Sequence, residues 1–433
     1  MDGSDALLLA RAQFGLNIGF HILFPTLTIG LAWLLVYFRV CYERSRDPAW
    51  LATYKLWVKV FALTFAMGVV TGIVMSFQFG TNWPGFMNRV GNVAGPLLAY
   101  EVLTAFFLEA TFLGVMLFGM NKVPGWVHVV STIVVAFGTT VSAFWILALN
   151  SWMQTPTGHM QEAGVLVAAS WLAVIFNPSF PYRMVHMLLA SGITAAFLVA
   201  GLSAWRLLKA PQDPAAGKTL RFGAHIAAVL VPIQVVVGDL HGLNTLEHQP
   251  AKIAAMEALW KTERGAPLTL IGIPNQQKRS NDFAITVPKA LSLILVHDPN
   301  GEVKGLEAFG EDIPPVLPVF LAFRVMVGMG VLMLILAWGS FFILKRPLVP
   351  RWLLWTFAGF TFSGWVATLA GWLVTEIGRQ PWLVTGVLYT ADAVGEVTGA
   401  EVGSSLTAYV FTYTVMLISY VVVLTHLAGK GSQ

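Results

Sequence analysis

Five side chains that can ligate a metal ion or carry a proton lie within long apolar stretches of this sequence. These residues are His21, Glu101, His186, Met326 and Glu376. Ionisable groups are expensive in hydrocarbon, and those that occur there usually belong to a functional site. The only cysteine, Cys41, excludes a disulfide framework, a paired-cysteine redox site and cysteine-ligated iron–sulfur or zinc. Any metal is therefore expected to have His, Met or carboxylate ligands.

Each of these side chains, taken alone, has a simpler explanation. An intramembrane histidine often forms a hydrogen bond between helices, and a methionine usually packs in a core. Glu376 and Arg379 have the spacing of an ion pair at a helix end. Glu101 and Glu109 are eight residues apart, which on a regular helix separates them by roughly 80° and about 12 Å. That spacing suits two stations of a proton path.

Haem iron is the cofactor that best suits His, Met and carboxylate ligands without cysteine. His and Met together fill both axial positions and give a low-spin electron-transfer centre, whereas one His or Glu leaves a position open for a gas ligand. A non-haem metal would require ligands at short helical spacing. No histidine pair at i, i+3 or i, i+4 occurs within a span.

Composition predicts the element that positions these residues, a membrane-spanning helix. Of the 433 residues, 56% are hydrophobic and 11% are charged, whereas about one quarter of a soluble domain is charged. Runs of about 20 apolar residues, long enough to cross the hydrocarbon, predict an all-α integral membrane protein with nine transmembrane helices. They lie near 15–40, 55–78, 96–119, 126–149, 184–208, 219–240, 315–344, 352–376 and 404–428.

The distribution of basic residues predicts the orientation of these helices. Alternate connections are basic, and we assign them to the cytoplasm by the positive-inside rule. Their basic residues are Arg39, Arg44, Arg46, Lys55, Lys122, Arg206, Lys209, Lys218, Arg221, Lys345, Arg346 and Arg351. The opposite connections near 80–95, 151–182 and 377–403 contain only Arg89 and Arg379. The amino terminus is thus expected outside and the carboxyl terminus in the cytoplasm.

This orientation places the five ligand-type residues in the outer part of the membrane, and their shared depth is stronger evidence for a site than any one residue. The placement of basic residues in cytoplasmic connections also explains the net charge of +4 better than nucleic-acid binding does.

Asp2 and Asp5 stand where a signal peptide has Lys or Arg, so the first helix is expected to remain in the mature chain.

The long connection after the sixth helix is the one sizeable polar segment. We divide the chain into helices one to six (1–240), an outer loop (241–314) and helices seven to nine (315–433). Within the loop, LEHQPAKIAAMEALW has apolar residues at helical spacing, and Pro250 suits the first turn of a helix. A loop of this length is more often functional than idle.

Several long motifs resemble subunit I of the cytochrome bd-type quinol oxidases, most closely the cyanide-insensitive branch with a short quinol loop. They are ARAQFGLNIGFHILFPTLTIG, GVVTGIVMSFQFGTNWP, LAYEVLTAFFLEATFLG, WILALNSWMQTP, RMVHMLLASG, GDLHGLNTLEHQPAKIAAMEALW, LAFRVMVGMG and TEIGRQPWLV. They extend from residue 11 to about 392. One departure is VATLAGW in the eighth span, where some members have a Glu before the GW pair.

The resemblance implies roles for individual residues. His186 and Met326 match the axial ligands of a low-spin haem b. His21 and Glu376 match the ligands of two high-spin haems, one of which reduces O2; either one is compatible with haem d.

The remaining matches concern protons, quinol and the surroundings of the haems. Lys252 and Glu257 match quinol-binding positions, but their spacing, about 140° around a helix, requires a bend for both to face one quinol. Glu101 matches a carboxylate at the high-spin haem pair and Glu109 one on the proton path. Arg324, Arg379 and Trp372 match residues near the haems, the arginines as propionate partners.

The resemblance also implies cofactors, partners and a location. It implies two haems b with a third haem that is d or b, ubiquinol or menaquinol as donor, and O2 as acceptor. It implies a heterodimer with a homologous second large subunit, in some members with single-helix subunits, embedded in the lipid of the bacterial cytoplasmic (inner) membrane. Quinol would be oxidised outside and O2 reduced with cytoplasmic protons, generating proton motive force without pumping.

Two other classes of function remain as alternatives. A secondary transporter with buried carboxylates would have inverted repeats and interrupted half-helices, and the sequence has neither feature. A sensor that only binds haem or quinone is a third interpretation. A haem spectrum distinguishes the oxidase from the transporter, and oxygen consumption with quinol distinguishes it from the sensor.

Overall fold

The protein is built from long helices joined by short connections and a few two-stranded ribbons. A computed structural model describes residues 3–346 and 348–429, so Asp2 lies outside the described part. The α-helices are α1 Gly3–Ser45, α2 Pro48–Thr81, α3 Pro84–Glu101, α4 Phe107–Phe118, α5 Gly125–Gln154, α6 Trp171–Ile175, α7 Phe180–Lys209, α8 Pro214–His248, α9 Pro250–Glu257, α10 Ala290–Val296, α11 Val316–Ser340, α12 Arg351–Gly359, α13 Ser363–Ile377 and α14 Gly399–Gly429.

Among the described residues, nine helical segments are long and apolar enough to cross a membrane, which confirms the predicted number. They are α1, α2, α3 with α4, α5, α7, α8, α11, α12 with α13, and α14. The helices extend beyond the apolar windows; α8, for example, continues to His248. The apolar runs predicted shorter helices because polar residues at the helix ends lower the hydropathy, whereas these residues still belong to the hydrogen-bonded helix.

Local capping explains where two of the spans begin. Asp47 precedes Pro48, and its carboxylate accepts a hydrogen bond from the backbone N–H of Ala49. Asp213 precedes Pro214 and accepts from the N–H groups of the next two residues. An Asp cap satisfies free N–H groups of the first turn, and proline at the first helical position needs no hydrogen-bond acceptor.

Helices α1 and α7 are the most enclosed spans. Two thirds of the apolar window of α1 and 61% of that of α7 are buried, against 17% for α3 with α4 and for α14. The two backbones approach closely at Gly30, where a Cβ atom would lie 2.3 Å from the Ser191 carbonyl oxygen. Small residues permit such contacts between membrane helices. His21 and His186 lie on these two closely packed helices.

The third span contains an irregularity between its two carboxylates. Residues Val102–Phe106 form a π-helical turn that joins α3 to α4. The angle and rise expected between Glu101 and Glu109 on a regular helix are therefore wrong, because a π turn has more residues per turn. Such turns are frequent at functional sites.

Contacts between connections place the basic connections and the basic-poor connections at opposite ends of the bundle. At one end, Lys218 pairs with Asp47, and Arg221 Nε donates to the Leu344 carbonyl oxygen at 2.8 Å. At the other end, the backbone N–H of Thr385 donates to the Met153 carbonyl oxygen at 3.0 Å. Which end faces the cytoplasm stays a prediction from the positive-inside rule.

The connection between α8 and α11 is folded and includes α9, which begins at Pro250 as the sequence predicts. The protein's short strands all lie in connections between spans. They are β1 His159–Glu162, β2 Val165–Ala168, β3 Glu263–Arg264, β4 Leu268–Asn275, β5 Ser280–Val287, β6 Glu302–Val303, β7 Trp382–Val384 and β8 Leu388–Tyr389. They form the antiparallel pairs β1–β2, β3–β6, β4–β5 and β7–β8. Within residues 3–346 and 348–429 there are also two 3₁₀ turns, Leu306–Phe309 and Ile343–Lys345.

Candidate functional site

His186 and Met326, the expected low-spin ligands, each face a glycine on a neighbouring helix. A Cβ atom on Gly238 of α8 would lie 3.5 Å from His186 Cε1, and one on Gly371 of α13 would lie 2.8 Å from the Met326 sulfur. The Nδ1 atom of His186 is buried without a hydrogen-bond partner. Helix α13 contacts both α7 and α11, so the helices that carry the two candidate ligands share a neighbour.

His21 is oriented by α2. Its Nδ1 atom hydrogen bonds to Thr71 Oγ1 at 2.9 Å, and its Cε1 lies 3.2 Å from where a Cβ on Gly72 would be. A hydrogen bond at one ring nitrogen orients the imidazole and leaves the other as the metal-ligating atom. Trp372 packs against α1 two residues before His21, since its Cζ3 atom would be 3.9 Å from a Cβ on Gly19.

Glu376 lies in a buried polar cluster at the end of α13. Its Oε1 atom accepts a hydrogen bond from Asn150 Nδ2 at 2.8 Å, and its Oε2 atom pairs with Arg379. The Nε and Nη1 atoms of Arg379 are buried without partners. The ion pair that the spacing of Glu376 and Arg379 allowed is therefore present, and it leaves the Nε and Nη1 donors of Arg379 free for an additional anion.

Lys252 joins this cluster from α9. Its ammonium donates to Gln154 Oε1 at 2.6 Å and to Gln249 Oε1 at 2.8 Å. Its stem lies beside the backbone of Gly378, where a Cβ would be 2.8 Å from Lys252 Cγ. Burial lowers the pKa of Lys252 well below its ordinary value. The neighbouring guanidinium groups of Arg183 and Arg379 lower it further.

Glu257, at the other end of α9, has different partners. Its Oε2 atom accepts from Arg324 Nη2 at 2.6 Å, and Arg324 Nε donates to the Thr269 carbonyl oxygen at 2.8 Å. Burial raises the pKa of Glu257 while the adjacent Arg324 guanidinium opposes that increase. The structure thus holds the ammonium of Lys252 against Gln154 and Gln249. It pairs Glu257 with Arg324 instead, and it does not join the two α9 residues directly.

The two carboxylates of the third span line the interface with α5. Glu101 Oε1 accepts from Ser142 Oγ at 2.7 Å. Glu109 is buried, and its Oε1 atom has no partner. Its side chain lies against Gly138, where a Cβ would be 2.8 Å from Glu109 Cγ. An unpartnered carboxylate oxygen in an apolar setting suits a transient proton carrier.

Sequence reasoning missed several polar residues of the site. Asn150, Gln154, Arg183, His241 and Gln249 lie near the ends of apolar spans or just beyond them. The His241 and His186 rings are 5.4 Å apart between centroids. The available signal was a polar residue near the end of an apolar run, which is also typical of residues that simply face water.

The histidine side chains and the buried, partly unpaired guanidinium group of Arg379 fit haem. His186 has a buried ring nitrogen with no protein partner, and His21 has one ring nitrogen fixed by a hydroxyl. Haem also carries propionate carboxylates, which match the unpaired guanidinium N–H groups of Arg379. Together these residues could hold haem by imidazole, thioether and carboxylate ligands.

Comparison with known proteins gives consistent matches over almost the whole chain. The family model for cytochrome bd terminal oxidase subunit I matches residues 9–432. A cytochrome bd ubiquinol oxidase subunit 1 from Bacillus subtilis (strain 168) is 35% identical over 445 aligned residues, covering 99% of this chain and 94% of the relative. The cytochrome bd-II ubiquinol oxidase subunit 1 of Escherichia coli (strain K12) is 31% identical, with 99% and 97% covered.

A solved structure has the same fold. It is the bd oxidase from Geobacillus thermodenitrificans, in which one chain superimposes with a TM-score of 0.92 at 31% sequence identity. The match covers 99% of each chain. The similarity therefore extends over all nine candidate spans of the described residues and the connection between α8 and α11.

Proposed function

The chain belongs to the cytochrome bd terminal oxidase subunit I family, and on this basis we propose that it oxidises quinol at the outer membrane face and reduces O2 with cytoplasmic protons. Membership makes it a subunit of a quinol oxidase, a haem-containing oxidoreductase of bacterial membranes. We also propose which residues form each site, the direction of proton movement and the number of haems.

The observation that carries the proposal is the buried, unpartnered Nδ1 atom of His186 opposite Gly238. His186 and Met326 are assigned to a low-spin haem b, and His21 and Glu376 to two high-spin haems, one b and the other d or b. When bound, haem iron supplies one-electron transfer at the low-spin site and O2 reduction at a high-spin site. The protein orients the imidazoles through Thr71 and through helix packing.

Quinol is assigned to the outer cluster around α9. Oxidation of one quinol gives a quinone, two electrons and two protons. Glu257, whose pKa burial raises, is suited to accept one proton and pass it to the outer side. Lys252 is held by two neutral amides, and its lowered pKa favours an uncharged amine that can hydrogen bond to a quinol oxygen. The two groups act at different ends of α9.

Protons for O2 reduction are assigned to the third span. Reduction of one O2 to two waters consumes four protons and four electrons, and two quinols supply the electrons. In this proposal, protons pass from Glu109 to Glu101, along α4 and α3, toward the high-spin sites. Because protons are released outside and consumed from the cytoplasm, charge separation follows without pumping.

The proposal includes the assembly and its location. Bd oxidases are generally multi-subunit membrane complexes, and we assign as partner a homologous second large subunit, with small single-helix subunits in some assemblies. The location is the cytoplasmic (inner) membrane, and the connection that includes α9 faces outward. The exposed apolar sides of α4 and α14 are available for lipid or for another subunit.

One experiment tests the oxidase proposal directly. The purified complex is examined by a reduced-minus-oxidised spectrum, by pigment extraction and by O2 consumption with ubiquinol or menaquinol. We expect three haems and quinol-dependent O2 uptake; a chlorin band in the red identifies haem d, and its absence identifies three haems b. Haem without O2 uptake would favour the sensor, and a complex without haem would favour the transporter.

A further inference from the structure

Three basic side chains lie near one carboxylate at the outer ends of α7 and α13. We call Arg183, Lys252, Arg379 and Glu376 the cation cluster. The three basic side chains are nearly inaccessible, with exposed fractions of 7% for Arg183, 3% for Lys252 and 5% for Arg379. All three interact electrostatically with Glu376. The cluster thus holds more buried positive than negative charge.

The members of the cluster differ in how their charge is balanced. Arg379 has Glu376 as its ion-pair partner. Lys252 is bonded to two neutral amides, and a buried lysine can lose its proton. Arginine cannot do so in proteins. Arg183 is therefore the cation whose charge most needs an additional anion.

Arg183 has no such anion among the described residues. Its Nε atom is buried without a hydrogen-bond partner, and within this part of the chain it forms no ion pair. A buried charge without a partner is strongly destabilising. An anion that is not part of this chain is expected to lie against the guanidinium group.

The position of Arg183 indicates the identity of that anion. It precedes His186 by three residues on α7, and residues at this spacing lie on neighbouring parts of one helix surface. Arg183 also interacts electrostatically with His186. A haem held by His186 carries carboxylates, and the planar guanidinium group binds a carboxylate through two parallel hydrogen bonds.

We infer that Arg183 anchors a propionate of the haem assigned to His186 and, through its fixed positive charge, raises the reduction potential of that haem. The inference rests on the proposed function, since it requires haem at His186. Arg183 acts as a positioning residue. Positive charge beside the iron stabilises the reduced state, which carries one positive charge fewer.

The test uses the complete purified complex and compares Arg183→Gln with two further variants. Arg183→Lys retains the charge but loses the planar fork. Arg206→Gln is the matched control, because Arg206 lies on the same helix near its other end and pairs with Asp213 at 2.6 Å. The readouts are the haem-to-protein ratio and a redox titration of the low-spin absorbance band.

For Arg183→Gln we expect a tenfold shift of the one-electron equilibrium toward the oxidised haem, which corresponds to about 59 mV more negative. Arg183→Lys is expected to give a smaller shift in the same direction, and Arg206→Gln no shift. Selective loss of the low-spin haem in Arg183→Gln would also support the inference, because an anchor for the cofactor would have been removed.

Wild-type haem content and potential in Arg183→Gln would overturn the inference. If that variant does not assemble, Arg183→Lys decides, and an unshifted potential in it counts against the anchor. An equal shift in Arg206→Gln would also overturn the inference, because it would indicate general perturbation of α7. Absence of haem from the wild-type complex would instead reject the proposed function.

Discussion

At the scale of single residues, the Arg324–Glu257 ion pair connects the proposed quinol site to α11. The resemblance assigned Glu257 to quinol and Arg324 to a haem propionate, whereas in the structure they are each other's partners at 2.6 Å. Thr269 accepts from the Nε atom of Arg324 and Glu257 from its Nη2 atom, so the Nη1 atom of Arg324 donates to neither residue. One arginine can thus contact the carboxylate and still offer a donor to a second anion.

This pair predicts a change in the pH dependence of quinol oxidation. Arg324→Gln removes the group that opposes the raised pKa of Glu257, so that pKa increases further. A proton acceptor must be deprotonated to work; the acidic limb of the kcat/KM profile for quinol is therefore expected to move to higher pH. Arg324→Lys, which keeps the charge, should move it less. A limb that moves to lower pH, with haem content normal, would contradict the role of Glu257.

Glu109 gives a second prediction at this scale. Its unpartnered carboxylate oxygen is proposed to carry protons from the cytoplasm, and a positioned proton-transfer group contributes roughly 100-fold or more to a rate. Glu109→Ala is expected to reduce turnover and proton uptake by about that factor, measured with a pH-sensitive dye in proteoliposomes. Glu302→Ala, at an exposed position, is the control. Unchanged turnover and proton uptake in Glu109→Ala would remove this residue from the path.

At the scale of elements, helix packing decides where the ligand atoms lie. Glycines at 72, 238 and 371 face His21, His186 and Met326 respectively. Because each glycine lacks a Cβ atom, it leaves space beside a candidate ligand side chain on the neighbouring helix. The arrangement shows how α2, α8 and α13 position side chains carried by α1, α7 and α11.

The contact between α13 and α11 predicts a selective effect on one haem. In Gly371→Ala the new Cβ would lie 2.8 Å from the Met326 sulfur, so the flexible thioether must move. We expect a weaker low-spin absorbance band and new CO binding at that haem, measured by difference spectra. Gly330→Ala on α11, where a Cβ meets nothing within 4 Å, should leave both spectra unchanged. Identical spectra for Gly371→Ala and wild type would argue against thioether ligation by Met326.

At the scale of the whole molecule, the basic connections gather at one end and the folded connection with α9 lies toward the other. Cysteine labelling tests which end is outside. In a Cys41→Ser background, Lys278→Cys lies in the exposed turn between β4 and β5, and Lys122→Cys in the exposed turn between α4 and α5. A membrane-impermeant maleimide is expected to label only Lys278→Cys in intact spheroplasts. The opposite pattern would reverse the orientation.

The sequence by itself determined the features that depend on local composition. Nine spans follow from apolar length because any helix must cross the same thickness of hydrocarbon. The start of α9 follows from Pro250, since proline fits the first turn whatever surrounds it. The nature of the candidate ligands, and the haem that suits them, follows from the side chains available in those spans.

Only the tertiary structure decided which side chains meet. Lys252 contacts Gln154 from α5, and Arg324 contacts Glu257 from α9, across separations of 98 and 67 residues. These pairs depend on the rotation and packing of helices, which apolar length does not specify. A buried Arg183 and an arginine that faces water have the same sequence signal, since both lie near the end of an apolar run. Burial, which the neighbouring helices create, is the physical difference between them.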